Sequence, residues 1–431
     1  MNPNITHWFS ENEERLRLLA LDIFRHPETA GEEQESALFL MDFMKAQGFT
    51  VKTGEGKLAT AFRAQWGSGK PVIAFLAEYD ALPELGQEPV PERSPVAGNG
   101  HGCGHNLLGA GCAGAAAAMK AALEAQGLPG TVVLFGCPAE ETCQGKVWMA
   151  REGWFDGVDL AVSWHPSDKN QVSEESFQAL VSRKFRFYGK TAHAAASPEQ
   201  GRSALDAAEL TNVAVNYLRE HVPDHVRMHY VYTSAGDKPN IVPGFAELWY
   251  FIRARDKETV ADADHRVWLA AYGASIATQT RVETEELTQS PDTKILRSLT
   301  KAMHEVLSEL GGPAFTGEEL AFAETLRTSL GLPEMGPALN TTVEPYKGTT
   351  VHMTGSTDVS AVSQTVPTVT LNIACQVAGA PGHHWGITAC AGSGVGLRGM
   401  VHGAKVMAQF GVRCVTQQRI LTEAWEEFRE G

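Results

Sequence analysis

Four short clusters in the sequence combine the side chains that bind metal ions. They carry thiol, imidazole and carboxylate groups, which suit divalent transition metals. The clusters are Gly-His-Gly-Cys-Gly-His-Asn (100–106), Pro-Ala-Glu-Glu (138–141), Trp-His-Pro (164–166) and Pro-Gly-His-His-Trp (381–385). Singly, each has an ordinary explanation, because a lone buried histidine is more often a hydrogen-bonded core residue than a ligand. Their joint occurrence after predicted strands or at loop–helix junctions favours one metal site.

The spacing inside two of these clusters suits hydrolysis. Cys103 and His105 stand among glycines, which let the backbone turn sharply, so both side chains can reach one ion. Glu140 and Glu141 are adjacent, and in an extended backbone they would point to opposite sides. One carboxylate could then bind metal while the other moves a proton. Hydrolysis needs this division, since a bound metal lowers the pKa of water and a carboxylate accepts its proton.

Alternating apolar strands and helices must position these clusters. Strands are predicted at 71–77, 131–136, 158–164 and 368–374, and helices at 10–24, 32–47, 107–125 and from about 396. The first helix is predicted to begin at a capping box of Ser10 and Glu13. Continuous apolar strands with helical crossovers predict an α/β fold with a covered mixed sheet. The metal site is expected at the C-terminal ends of the strands.

The pattern changes in the middle of the chain. Alternating segments at 179–188, 227–233 and 246–254 predict strands, with one helix at 203–219 between them. This indicates an α+β domain at 181–294, inserted into a catalytic domain formed by 1–180 and 295–431.

Composition excludes several classes of protein. The 431 residues carry 36 Lys and Arg against 51 Asp and Glu, a formal net charge of −15. This balance argues against nucleic-acid or anionic-membrane binding, which need a basic field. The N-terminus has no basic and apolar signal pattern, the apolar run 107–122 is short for a membrane span, and the seven cysteines are an odd number. A soluble cytoplasmic protein with mostly buried thiols is expected.

Longer motifs around these clusters resemble a known family. They are HPETAGEE (26–33), AEYDALPELG (77–86), GHGCGHNLLGAG (100–111), GCPAEE (136–141), WHP (164–166), GKTAHAAASPEQGRSALDA (189–207), NIVPGFAELWYFIRA (240–254) and GSTDVSAVSQTVPT (355–368). Together they resemble the aminoacylase, carboxypeptidase G and indole-acetyl-amino-acid hydrolase metallopeptidases over nearly the whole chain. The subgroup that they resemble is that of the p-aminobenzoyl-glutamate hydrolase B-type chains.

The resemblance implies a role for each residue of the metal site. It implies one or two divalent ions, with manganese or zinc expected, and Cys103 as the bridge between two of them. The implied ligands are Cys103, His105, Glu141, His165 and His383. His384 is the alternative to His383. Glu140 corresponds to the general base and later acid, Asp80 stands beside the ligands, and Asn106 occupies a position where many relatives have Asp.

The inserted domain resembles the family's lid or dimerisation domain. His193 corresponds to the lid histidine that reaches the opposite subunit's site and stabilises the oxyanion, or it caps a turn. Asn240 and Arg253 correspond to residues that hold the substrate's carboxylate, although Arg253 also suits a surface charge. The resemblance thus implies a homodimer and a small anionic aromatic substrate.

Three functions remain open from the sequence. The first is a metal-dependent amidohydrolase that cleaves an N-acyl, especially an aroyl, amino acid such as p-aminobenzoyl-glutamate. The second is a hydrolytic deaminase of an aromatic amine of the nitroanthranilate type, with the same ligands and base. The third is a non-catalytic subunit of a heteromeric hydrolase, which predicts a lost ligand or base, and none is lost. Trp164, Trp385 and Tyr79 suit an aryl substrate or simple packing.

Overall fold

In the computed structural model, which describes residues 1–334 and 336–430, the chain divides into two units. The first comprises Met1–Glu175, Lys294–Val351 and Val362–Gly431, and the second comprises Ser176–Thr293 and His352–Ala361. From the sequence, residues 352–361 were expected in the catalytic domain. That segment, HMTGSTDVSA, carries few apolar side chains, so no periodic pattern marks its place in the fold.

Seven strands of the first unit form one mixed sheet. Numbered in chain order, they are β1 (Thr50–Thr53), β2 (Phe62–Ser68), β3 (Val72–Ala77), β4 (Gly130–Gly136), β5 (Leu160–Ser167), β6 (Gln171–Val172) and β13 (Thr368–Ala374). Their order in space is β1-β2-β4-β3-β5-β13-β6. The strands β4, β3, β5 and β13 are parallel neighbours, and the outer strands pair antiparallel with them. The predicted mixed sheet is confirmed, and the parallel strands bring their carboxyl ends to one edge.

Helices of the same unit surround this sheet. They are α1 (Pro3–Arg25), α2 (Gln34–Ala46), α3 (His105–Gln126), α4 (Gly145–Arg151), α7 (Arg297–Leu310), α8 (Gly317–Ser329), α10 (Trp385–Ala391), α11 (Gly394–Thr416) and α12 (Arg419–Glu430). Short elements lie where the chain passes between the units, namely β7 (Glu175–Ser176), β12 (Val351–His352) and α9 (Val359–Ser363). Single 3₁₀ turns occur at Gly56–Leu58, Pro198–Gln200 and Arg219–His221.

Helix α3 lies at the centre of the first unit and carries small residues on every side. A Cβ on Gly111 would lie 2.7 Å from the Trp164 ring, and one on Gly114 would lie 2.5 Å from Leu16. With 22 residues, α3 extends beyond both the apolar run 107–122 and the predicted helix 107–125. Within the described residues it is the one helix long and apolar enough to cross a membrane, and 89% of its apolar window is buried inside the protein. Its apolar surface therefore serves the core.

Helix α1 begins earlier than the sequence analysis predicted. Asn2 caps it by accepting a hydrogen bond from the Asn4 amide at 2.9 Å, and Pro3 occupies the first turn. Ser10 lies inside the helix and donates to the His7 carbonyl at 2.7 Å. The predicted capping box at Ser10 is wrong, because an asparagine cap followed by proline is itself a strong start signal.

The second unit contains an antiparallel four-stranded sheet with two helices. The strands are β8 (Ala179–Tyr188), β9 (Arg227–Ser234), β10 (Phe245–Ala254) and β11 (Arg281–Ser290), in the order β11-β8-β10-β9. The helices are α5 (Ala204–Leu218) and α6 (Lys257–Ala277). Buried Phe185, Phe187, Leu248 and Tyr250 contribute to a core of its own.

Helix α6 and strand β11 have no clear signal in the sequence, for physical reasons. The buried face of α6 is made of small residues such as Ala263 and Ala271, while Tyr272 and Ile276 are exposed. An apolar side chain on each face blurs the helical period. Strand β11 has the sequence RVETEELTQS and lies at an edge, where its charged side chains are exposed. Edge strands commonly carry such charges.

Candidate metal centre

The ends of the parallel strands bring the predicted metal ligands together. Strand β3 runs into Glu78 and Asp80, β4 runs into the segment 138–141, and His165 is part of β5. Cys103 precedes α3, and His105 is the first residue of that helix. His383 lies in the loop after β13, two residues before α10. Separate stretches of chain thus supply side chains to one place, at the edge where open α/β sheets bind ligands.

Glycines around Cys103 are required by the close packing of the backbone. Gly104 separates the two ligands and has φ +81°, in the left-handed region. A Cβ on Gly100 would lie 2.0 Å from the Leu85 carbonyl oxygen, and one on Gly102 would lie 2.4 Å from the Leu85 side chain. The loop therefore turns tightly enough for Cys103 and His105 to point at the same space.

The five predicted ligands form two groups that share Cys103. The Cys103 Sγ lies 3.3 Å from His165 Nε2, and Glu141 Oε2 lies 3.4 Å from His383 Nε2. Donor atoms of Cys103, His105 and His165 lie within 4.8 Å of one another, as do those of Cys103, Glu141 and His383. This arrangement offers two neighbouring triads with a common sulfur.

Asp80 holds two of the ligands in place. Its Oδ1 accepts from His105 Nδ1 at 2.8 Å, and its Oδ2 accepts from the Glu141 amide at 2.9 Å. Burial alone would raise the pKa of Asp80, but the hydrogen bond and charge of His105 outweigh it and the pKa lies below its usual value. The ring of His105 is oriented so that Nε2 remains for another partner, as carboxylate–histidine pairs do at metal sites.

Two buried atoms of the cluster lack hydrogen-bond partners within the described part of the chain. They are His105 Nε2 and Glu141 Oε1. Leaving such an atom unsatisfied costs about 1–3 kcal/mol, so native proteins rarely do so without a ligand. Both atoms belong to side chains of the triads defined above. The donor set and these two atoms therefore fit a divalent transition metal.

Burial also disfavours the charged forms of Cys103, Glu141 and His165. It raises the pKa of the Cys103 thiol to about 12 and raises the pKa of Glu141. It lowers the pKa of His165 as well. Metal ligands must be deprotonated to bind, so a cation at this place would compensate two buried negative charges that burial otherwise disfavours.

Glu140 and Glu141 lie in a turn and not in the extended backbone that was considered from the sequence. Ala139 just before them has φ +57°. The carboxylates nevertheless separate, because each approaches a different nitrogen of His105. Glu140 Oε2 lies 4.0 Å from Nε2, and Glu141 Oε1 lies 4.0 Å from Nδ1.

A buried ion pair borders the cluster and was missed from the sequence. Glu78 Oε2 lies 3.5 Å from His105 Nε2, and its Oε1 lies 2.7 Å from Lys146 Nζ. Glu78, His105 and Glu140 form a third group of close donor atoms. Lys146 is fully buried on the same face of α4 as Met149. A lysine three residues from a buried methionine on a short helix is the signal that could have revealed it.

Asn106 contacts the core instead of the ligands. Its Nδ2 donates to the carbonyls of Ala20 and Ala391 at 3.2 and 3.0 Å. The side chain thereby joins α3 to α1 and to the end of α10. The predicted place beside the metal ligands is not among these contacts, because the N-terminal turn of α3 directs Asn106 away from the side of His105.

His383 and His384 have different surroundings. His383 has φ +51° and approaches Glu141, as given above. His384 is the N-cap of α10, where its Nδ1 accepts from the Gly386 amide at 3.4 Å. Of the two, His383 is the one within the donor groups of the cluster.

Of the three residues that the resemblance assigns to a lid, His193 and Asn240 lie at one end of the sheet in the second unit. The His193 Nδ1 accepts from the amides of Ala195 and Ala196 at 3.2 and 3.1 Å, which caps a turn and places the ring proton on Nε2. The Ala194 amide donates to the Asn240 carbonyl at 3.0 Å. His193 and Asn240 are both exposed.

Arg253 lies at the other end of the same sheet. It pairs with Leu180 at the start of β8, whereas Phe245 pairs with Tyr188 at its end. At about 3.3 Å per residue, Phe245 and Arg253 are about 26 Å apart. The Arg253 guanidinium donates to the Ser356 hydroxyl at 3.0 Å. Within one chain, Arg253 and Asn240 cannot contact the same carboxylate.

Two of the aromatic residues considered for an aryl substrate belong to the core. Trp164 is fully buried and donates from its indole nitrogen to the Leu108 carbonyl at 3.0 Å. Tyr79 is fully buried and donates to the Thr60 carbonyl at 2.6 Å. Trp385 is partly exposed at the start of α10. Packing therefore accounts for Trp164 and Tyr79.

Comparison with known proteins gives one family match and several relatives. The description "Peptidase family M20/M25/M40" applies to the family that residues 74–410 match. The B chain of the p-aminobenzoyl-glutamate hydrolase of Escherichia coli (strain K12) is 37% identical, over 96% of this chain and 91% of that protein. The Xaa-Arg dipeptidase of Mus musculus is 34% identical, over 64% of this chain and 63% of that protein.

A solved structure shows the same fold. It is a dinuclear metal-binding peptidase of the M20 family from Bacillus subtilis, with a TM-score of 0.60 and 18% identity. The match covers 94% of this chain and 99% of that one.

Proposed function

Because this chain belongs to peptidase family M20/M25/M40 and is a hydrolase acting on amide bonds, we propose that it is a metal-dependent amidohydrolase. Its substrate is an N-acyl amino acid with an aroyl group, such as p-aminobenzoyl-glutamate. The two triads that share Cys103, with the unsatisfied His105 Nε2 and Glu141 Oε1, are the observation that carries this proposal. A non-catalytic subunit would not need the five ligands together with Glu140, yet all of them are present.

The ligands of this site are Cys103, His105, Glu141, His165 and His383. Two ions are favoured by the shared sulfur of Cys103, and the Bacillus subtilis relative is dinuclear. Nitrogen, oxygen and sulfur donors together suit manganese or zinc. Ions bound here would lower the pKa of water and polarise the scissile carbonyl.

The protein's own groups move the protons of the reaction. Glu140, beside the ligands, accepts a proton from the attacking water as its oxygen bonds to the amide carbon. The carbonyl oxygen becomes an oxyanion, to which the Nε2–H of His193 from a second copy of the chain would donate. Glu140 then gives the proton to the amide nitrogen, the C–N bond breaks, and a carboxylic acid and an amine leave.

The names of the relatives and the local charge support this substrate class. The Escherichia coli relative is part of a p-aminobenzoyl-glutamate hydrolase, which favours an aroyl amino acid with negative carboxylates. In the second unit, Arg253 stands directly opposite Arg227 across β10 and β9. Burial is the largest cause that lowers the pKa of His229, and the charges of Arg253, Arg219 and Arg227 lower it further. This basic group supports binding of an anion by a chain with net charge −15.

A homodimer would allow Arg253 and Asn240, which lie at opposite ends of the sheet in the second unit, to contact the same substrate. Arg253 and Asn240 lie too far apart in one chain to hold one carboxylate, so two chains must supply them if both bind the substrate. The second unit also exposes Tyr217 and Ile276, which are 69% and 61% accessible. A partner of another sequence is the alternative, because the name of the Escherichia coli relative describes one subunit of its enzyme.

The experiment combines product analysis with a Glu140→Ala variant. Purified protein is loaded with Mn²⁺ or Zn²⁺ and given p-aminobenzoyl-glutamate, and chromatography measures released p-aminobenzoate and glutamate. We expect Glu140→Ala to lower kcat by roughly 10²–10⁴-fold, since proton transfer by a positioned group contributes that much, while metal content stays unchanged. Hydrolysis near the normal rate in the variant would contradict the mechanism. Ammonia released from aminobenzoates without an amino acid product would favour an arylamine deaminase instead.

A further inference from the structure

The segment Ala139–Glu141 needs support from outside itself. It carries the proposed base and one proposed ligand, and it starts with a left-handed alanine at φ +57°. A non-glycine residue in this region costs about 1–2 kcal/mol, so neighbouring contacts must hold it. Within the turn, the Ala139 carbonyl accepts from the Gln144 amide at 3.1 Å and from the Thr142 hydroxyl at 3.2 Å. These contacts leave the amide of Ala139 to an outside partner.

That partner is Glu33, a fully buried carboxylate 106 residues earlier in the chain. The Glu33 Oε1 accepts from the Ala139 amide at 2.8 Å and from the Gly31 amide at 2.8 Å. Its Oε2 accepts from the Thr60 hydroxyl at 3.1 Å. The carboxylate is therefore fixed by three donors, of which one belongs to the turn beside the metal ligands.

Two buried carboxylates thus hold alternate amides of this segment. Glu33 holds the amide of Ala139, and Asp80 holds the amide of Glu141 at 2.9 Å. Glu140 lies between the two anchored residues, so its backbone direction is fixed from both sides. Catalysis is sensitive to this direction, because a misplacement of about 1 Å can cost about 10²-fold in rate.

We propose that Glu33 is a positioning residue, which holds the turn bearing Glu140 and Glu141 in its working geometry through the Ala139 amide. The inference rests on the proposed metal-dependent hydrolysis. It assigns a use to the last glutamate of the HPETAGEE motif. The first glutamate of that motif has a different contact, since Glu28 accepts from the Glu35 and Ser36 amides in the first turn of α2. Glu33 acts on the site and Glu28 on a helix.

Two substitutions distinguish whether Glu33 acts through the position of its carboxylate next to the Ala139 amide or through its negative charge. Glu33→Asp keeps the negative charge and withdraws the carboxylate from Ala139 by one methylene. Glu33→Gln loses the charge and keeps an amide oxygen that can accept from Ala139 and Gly31, while its NH₂ can donate to the Thr60 hydroxyl. If Glu33 acts through the position of its acceptor oxygen, Glu33→Asp should lose metal affinity and kcat, whereas Glu33→Gln should keep both. If Glu33 acts through its negative charge, Glu33→Gln should lose metal affinity and kcat, whereas Glu33→Asp should keep both.

Metal binding and kinetics are both measured on the full chain. Mn²⁺ or Zn²⁺ alone is titrated in competition with a chelator, and kcat and KM are measured with p-aminobenzoyl-glutamate. For Glu33→Asp we expect metal affinity and kcat to fall by about 10–100-fold, as for other residues that orient metal ligands, with KM changed far less. Glu33→Gln should stay within about threefold of wild type in both quantities, because the oriented acceptor is kept.

Thr60→Val is the matched control. It removes the Oε2 contact of Glu33 and leaves the contact with Ala139 in place. It should lower the unfolding temperature slightly and leave metal affinity and kcat unchanged. A general loss of packing around Glu33 would affect this variant as much as Glu33→Asp.

Each outcome decides the inference. Wild-type affinity and kcat in Glu33→Asp, or equal impairment of Glu33→Gln and Glu33→Asp, overturns it. If Glu33→Asp does not fold, the folded Glu33→Gln variant decides, because its loss of metal affinity also overturns the inference. A wild-type chain that neither binds metal nor cleaves the substrate overturns the proposed function, which a change confined to the variants does not.

Discussion

At the scale of single residues, the buried carboxylates around the site make different contacts and have different roles. Glu141 approaches His383, Asp80 orients His105, and Glu33 holds a backbone amide. Burial acts against ionisation in all three. Asp80 overcomes it through the hydrogen bond from His105, whereas burial and the charge of Asp80 raise the pKa of Glu33 to about 7. Residues close together in space therefore differ in their ionisation at neutral pH.

The raised pKa of Glu33 predicts a pH-dependent stability. Below about pH 4.5 the carboxyl is protonated in both the folded and the unfolded chain. Between about 4.5 and 7 the unfolded chain loses the proton first, so the free energy of unfolding falls as pH rises, and above 7 the cost is constant. Glu33→Gln lacks this cost. In metal-free protein, its stability relative to wild type should rise by on the order of 1–3 kcal/mol from pH 5 to pH 8.

Urea unfolding at several pH values measures this difference. Glu28→Gln is a comparison variant in the same motif. A Glu33→Gln difference that does not vary between pH 5 and pH 8 would show that Glu33 ionises normally.

The sequence could identify site residues whose side-chain type already indicates a chemical role, such as binding a metal ion. Cys103, His105 and Glu141 are metal donors, and family motifs surround them. The contacts of Glu33 and Lys146, and the core contacts of Asn106, could not be predicted because a glutamate, a lysine and an asparagine have many ordinary uses. The partners that reveal them are distant in the chain, as Ala391 is 285 residues from Asn106. Only the fold brings such pairs together.

At the scale of elements, the Cys103–Gly104–His105 turn joins the loop to α3. Gly104 has φ +81°, and a Cβ there would lie 3.2 Å from the Pro166 ring. Gly104→Ala should cost about 1–2 kcal/mol of backbone strain and shift the two ligands against each other. We expect weaker Zn²⁺ or Mn²⁺ binding together with a lower unfolding temperature.

Gly127→Ala provides the control for this strain. Gly127 has φ +60° at the C-terminal end of the same helix, and a Cβ there would meet no atom within 4 Å. It should lose similar stability and keep the metal affinity of wild type. Equal metal affinity in both variants would show that Gly104 serves only the backbone.

Elements with one continuous apolar face or run were predictable. Strand β8 was predicted at its observed bounds, and so was β13. The start of α1 was not, because a capping box formed by Ser10 and Glu13 competes with the Asn2–Pro3 signal in sequence. Helix α6 shows apolar side chains on two faces, which periodicity cannot distinguish from irregular structure.

At the scale of the whole molecule, the apolar surface of the second unit predicts self-association. On α5, Val213 and Tyr217 are 50% and 69% exposed, and on α6, Tyr272 and Ile276 are 48% and 61% exposed. Exposed apolar patches of this kind mark interaction sites. If a second copy covers them, the double variant Tyr217→Asp and Ile276→Asp should be monomeric and should have much lower activity.

Light scattering coupled to gel filtration measures the mass. Leu38→Asp, at a 51% exposed position on α2 in the first unit, should leave the dimer intact. A monomeric wild-type chain with full activity would exclude a site completed by a second copy.

The order of strands in the large sheet has a consequence for synthesis of the chain. Strand β13 lies between β5 and β6, yet about 200 residues separate its start from the end of β6. At about 5–20 residues per second, a ribosome needs about 10–40 s to make them. Throughout that interval one side of β5 presents open amides and carbonyls on the nascent chain. The second unit emerges meanwhile, and His383, made later still, completes the ligand set.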